Sequence, residues 1–61
     1  MFTLKIKTDN AAFEDDPGLE IARILKLWAE RIERGINLEL PLSNHPVYDL
    51  NGNKVGTIDW K

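Results

Sequence analysis

The sequence predicts an α+β domain: one helix packed on a three-stranded antiparallel sheet, in the chain order strand–helix–strand–strand. Three observations lead there. The first residues alternate apolar and polar, as a half-buried strand does. The middle of the chain repeats apolar residues at helical spacing between a proline-led start and a glycine stop. The last third holds two β-rich runs around Asp49-Leu50-Asn51-Gly52-Asn53.

Taken in order, residues 1–8 read as a strand with Phe2, Leu4 and Ile6 on one face and Thr3, Lys5 and Lys7 on the other. Residues 8–16 form a polar crossover, with Phe13 expected to tuck beneath the helix start. Asp16 suits the N-cap, Pro17 the first helical position, and Gly35 a left-handed C-terminal cap. Between them Ile21, Ala22, Ile24, Leu25, Trp28, Ala29 and Ile32 fall in one sector, and these are the expected core face. Arg23, Lys26, Glu30, Glu33 and Arg34 lie opposite, while Leu19 and Leu27 break the pattern on or near the polar side. Acids in the first turn and Arg34 in the last suit the helix dipole.

Residues 36–42 alternate again, as either a short edge strand ended by Pro41 or an extended segment along the core. Residues 46–61 read as a hairpin. A two-residue Asn51-Gly52 turn would set Tyr48 with Val55 and Val47 with Ile58. A three-residue loop with Gly52 in the left-handed position instead puts Tyr48 on the face of Ile58 and Trp60, and lets Asp49 bond backbone two residues on. The second arrangement gathers the larger side chains and is the expectation. If the last strand pairs with both others, the order 2-3-1 is antiparallel throughout.

Sixty-one residues make one domain, spanning 1–61. A chain of this size buries only about 60% of its unfolded surface and is marginally stable. The absence of cysteine removes disulfides and thiolate chemistry, leaving association as the remaining staple, so a monomer or a weak homodimer is expected. No apolar run reaches the roughly 18 residues of a membrane span, and the N-terminus lacks the order of a signal peptide. A cytoplasmic protein is expected. Ten acids against eight bases give a net charge of −2, far from the basic balance of a direct nucleic-acid binder.

Chemistry is scarce. His45 stands alone beside Asn44 and Pro46, with no third group in the sequence pattern to orient it as the base of a nucleophile. The Asp49–Asn53 turn has its glycine misplaced for a calcium loop, with Trp60 where the chelating glutamate belongs. The four glycines sit singly, so no phosphate loop exists. No catalytic, cofactor or metal residues are expected, and the chain is not read as an enzyme. What remains is surface. Asp9, Glu14, Asp15 and Asp16 form the densest charge cluster, to be read as helix capping and solvation or as an acidic partner-facing patch. Leu27, with Leu19, stands where a lone helix would expose it, and Glu30 and Glu33 lie on the outer helix face.

The segments Met1–Thr8, Ala12–Pro17, Glu20–Leu25 and Tyr48–Gly56 together resemble a group of very short proteins encoded by bacteriophages and prophages. The chain is similar to anti-CRISPR inhibitors of type I effector complexes. Residues 36–46 fall outside the resemblance, whose capping and turn motifs specify a fold better than an activity. The resemblance implies a non-catalytic inhibitor, acting in the cytoplasm of an infected bacterial host. Such a protein binds a host CRISPR effector subunit and blocks target DNA binding. Carboxylates would then stand where DNA phosphates sit, engaging lysines and arginines through salt-sensitive contacts. Asp9, Glu14, Asp15, Asp16, Glu30, Glu33 and Leu27 are the residues that could carry it, against Arg23, Lys26, Arg31 and Arg34 on the same helix. Two alternatives stand beside it. One is a phage accessory protein for nucleic-acid transactions using Lys5, Lys7 and Lys54; the other is a homodimer joined through strand edges or Leu27.

Overall fold

A computed structural model describes residues 1–35 and 42–60. The elements are β1 (Phe2–Ile6), a 3-10 turn (Ala11–Phe13), α1 (Pro17–Arg34), β2 (Leu42–Tyr48) and β3 (Lys54–Trp60). The sheet order is β1-β3-β2 and both pairings are antiparallel, so the chain is α+β in the expected topology. The alternatives for residues 36–41 lie outside the described residues, while Leu42 belongs to β2.

The helix begins and ends where its caps dictate. The Asp16 side chain accepts the Leu19 N–H at 3.0 Å, and Pro17 occupies the first turn, where a missing donor costs nothing. Gly35, at φ 66°, donates its N–H back to Arg31 and Ile32, closing the last turn in the left-handed conformation glycine favours. Arg31 and Arg34 then lie in the last turn, where positive charge meets the dipole.

Phe13, Ile24, Trp28, Leu42, Val47, Val55 and Ile58 are buried together, with Leu4, Ile6, Ala12, Ile21 and Trp60 packed around them. Phe13 reaches this core from the 3-10 turn, as expected. Leu25 does not: it is 48% exposed, because it lies about 100° round the helix from Ile24, at the margin of the buried stripe. Ala29 is exposed for the same reason. His45 sits in β2 and packs edge-on against Trp28, ring centres 5.1 Å apart, with Arg31 5.0 Å above the same indole.

The hairpin turn is the expected three-residue loop. Asp49 N–H donates to Asn53 at 2.9 Å, Gly52 N–H donates to Asp49 at 3.1 Å, and Gly52 has φ 84°. The expected face, however, is wrong. Tyr48 pairs with Lys54 and is 53% exposed, whereas Val47 pairs with Gly56 and is buried. The register with β2 therefore skips Val55, a bulge residue that turns into the core with no opposite number on β2. Because strand side chains alternate, one extra residue exchanges the two faces of β2 and brings Val47 inward in place of Tyr48. The hairpin also starts earlier than residue 46. A second irregularity between Leu42 and His45 places Asn44 at φ 51° and points its N–H at the Asp59 carboxylate, 3.0 Å away. Asparagine tolerates that left-handed conformation better than most residues.

Candidate protein-binding surface

A polar clamp sets the end of the molecule where the crossover, the helix start and the hairpin turn meet. Its centre is Glu20, only 5% exposed. One carboxylate oxygen accepts Arg23 Nε at 2.6 Å; the other accepts an Arg23 Nη at 3.0 Å and the Leu50 N–H at 2.7 Å. The Arg23 hydrogen bond holds the Glu20 carboxyl below its ordinary pKa against the opposing effect of burial, with the Leu50 N–H adding to it. Glu20 in turn raises the pKa of Arg23.

Beside it Asp49, also buried, accepts Asn51 N–H at 2.9 Å and Asn53 N–H at 2.8 Å on one oxygen, and Asn10 Nδ2 at 2.6 Å on the other. Burial would raise the Asp49 pKa, but these donors, the Asn53 backbone first, outweigh it and leave it lowered. The Asn10 side-chain oxygen Oδ1 accepts the Ala12 N–H at 3.2 Å and caps the start of the 3-10 turn. Every buried side-chain polar atom among the described residues has a partner.

The clamp holds Leu50 over the first turn of α1. Leu50, Leu19, Ala12, Asp15, Asp16, Glu20 and Arg23 line a cleft of about 380 Å³. Leu19 and Leu50 are both largely exposed, and Asp15 and Asp16 are exposed beside them. The arrangement suits an apolar side chain that carries, or neighbours, a positive charge.

Of the residues singled out from the sequence, the structure brings Asp15 and Asp16 into this cleft. Asp9 and Glu14 are exposed on the crossover beside it in sequence. Leu27 is exposed on the helix, Glu33 likewise, and Glu30 forms an exposed ion pair with Arg34 at 3.2 Å. Sequence reasoning missed Glu20, Leu50 and Asn10. A signal existed for Glu20: it stands one helical turn before Ile24, on the core-facing stripe, with Arg23 three residues on. Among the described residues no group of acids and histidine is placed to hold a metal ion, and no helix is long and apolar enough to cross a membrane. No family model, curated protein or solved structure matches this chain.

Proposed function

We propose that the chain is a phage-encoded, non-catalytic inhibitor that binds a subunit of a host type I CRISPR effector complex in the bacterial cytoplasm and blocks target DNA binding. One observation carries the reading. Asp15 and Asp16, both exposed, line a cleft together with the exposed Leu19 and Leu50. DNA-contacting protein surfaces are rich in lysine and arginine whose aliphatic stems are apolar. An acid-lined leucine cleft complements both parts of such a side chain.

The test is a gel shift with a purified type I effector complex and its target DNA. Added protein should abolish the shifted band at close to equimolar ratio. The informative variant is Asp15→Lys with Asp16→Asn, because asparagine keeps the Leu19 cap while removing the charge. This pair should leave the fold intact and weaken inhibition at least about ten-fold, as expected for losing charge-assisted contacts. Undiminished DNA binding with the wild-type protein refutes the inhibitor reading; undiminished inhibition by the variant refutes the acidic contact.

A second reading draws on the bulge. By turning Tyr48 outward opposite Lys54, it adds an aromatic ring to the face that carries Lys5, the pairing of base and ring used by single-strand binders. Fluorescence anisotropy with a labelled oligonucleotide at low salt tests it, and a flat titration disposes of it.

A further inference from the structure

β1 has β3 on one side and, among the described residues, no neighbour on the other. The phase of the ladder says which backbone groups are free. Lys7 donates its N–H to the Val55 carbonyl at 2.7 Å, and the register continues through Lys5 opposite Thr57 and Thr3 opposite Asp59. Odd-numbered residues therefore turn their backbone groups toward β3, and Phe2, Leu4 and Ile6 turn theirs outward along the edge.

The far edge of the sheet is different. Pro46 has no N–H to offer, and the irregularity at Asn44 bends β2. β1 has neither device, and its core-facing side chains are less covered than those at the heart of β2 and β3. Phe2 is 46% exposed and Leu4 and Ile6 are half-buried, while Leu42, Val47 and Ile58 are buried. Leu25, exposed as well, lies on the helix flank away from Glu20 and its anchor in the β2–β3 turn.

We propose that β1 pairs antiparallel with β1 of a second copy of this chain, about a two-fold axis at Leu4. The strand is self-complementary in that register. Leu4 meets Leu4, Phe2 meets Ile6, and all three outward-facing residues on each copy find backbone partners. The apolar strip of one copy continues that of the other on the helix side. On the outer face Lys5 meets Thr3, so no like charges are directly opposed. Lysine commonly guards a strand edge, but Lys5 projects to the outer face, which stays in water in the pair. The continuous sheet also supplies the staple that so short a chain lacks within itself.

Sedimentation equilibrium from micromolar to millimolar protein tests the proposal, with circular dichroism to follow the fold. The wild type should be a reversible dimer. Thr3→Lys places the introduced lysine opposite Lys5 of the other copy twice per dimer, yet opposite Asp59 within its own chain, where it is harmless. It should weaken dimerisation about three- to thirty-fold without loss of fold. Adding Lys5→Glu to Thr3→Lys should restore association. A monomer at every concentration overturns the proposal, and so does a dimer indifferent to Thr3→Lys.

Discussion

The Glu20 carboxylate accepts the backbone N–H of Leu50 at 2.7 Å, tying the first turn of the helix to the hairpin turn thirty residues later. The two segments are thereby set edge to edge, and the cleft lined by Leu19 and Leu50 is their joint product.

Glu20→Ala removes the acceptor for Leu50 and the partner of Arg23 in one step. Because Arg23 is partly exposed, its half of the loss is screened, and the expected cost is about 2–3 kcal/mol, most of it from the stranded backbone donor. Glu20→Gln keeps an acceptor and should cost about half as much. Urea midpoints report both, and an unchanged midpoint for the alanine variant would mean that the clamp is ornamental.

Acid should loosen the same clamp. Glu20 and Asp49 both have folded pKa values below their ordinary ones, so the unfolded chain takes up protons first as pH falls. Their stabilisation is complete above about pH 5 and drains away below about pH 4, as each carboxylate protonates in the folded state. Thermal unfolding followed from pH 7 to pH 2 should show a plateau and then a decline. Glu20→Gln should begin lower and decline less, so that the two curves converge in acid.

Asp49→Asn tests the geometry rather than the charge. The amide would retain one oxygen for Asn51 and Asn53 but present its NH₂ to the Asn10 NH₂. Asn10 has no escape by flipping its amide, since its side-chain Oδ1 already accepts the Ala12 N–H. A drop of about 5 °C in Tm is expected, on the scale of one hydrogen bond in a small domain. Adding Asn10→Asp exchanges donor and acceptor and should recover it; no recovery would mean the Asn10–Asp49 bond is dispensable.

Gly56→Ala should be the most damaging small substitution in the sheet. A methyl there would collide with the Lys5 carbonyl oxygen and stand 2.8 Å from its carbon, both parts of a backbone that cannot rotate away. The expected cost is about 3 kcal/mol or more, enough to unfold much of so small a domain. Circular dichroism would show it directly. A stable alanine variant would mean that β1 and β3 approach less closely than described.

Trp28→Ala should cost about 3–5 kcal/mol, since the indole is buried and carries His45 and Arg31 against its ring. Retention of a cooperative urea transition near the wild-type midpoint would contradict this packing.

The helix and its caps were legible because their causes are local: Asp16, Pro17 and Gly35 act within one turn of where they stand. The strand order was legible from topology alone. The faces of the hairpin were not. The turn residues specify loop length, but Val55 and Ile58, three apart with Gly56 between them, are out of alternation, and the sequence reading did not take this as the sign of a bulge. The acidic segment was visible as composition, yet its relation to Leu50 depends on Glu20, a charged side chain on the core-facing stripe that the sequence reading did not single out. Glu20 needed a distant backbone donor to make its burial tolerable, and no local pattern announces one.

Under the β1–β1 pairing proposed above, Pro46 and Asn44 would give the described sheet a pairing valency of one. A strand ladder open at both edges can recruit without limit and grow into fibres; one sealed at β2 and open at β1 is exhausted by its first partner. In that pairing, association by strand addition would be self-terminating, and replacing Pro46 with a residue that bears an amide hydrogen would remove one of the two stops.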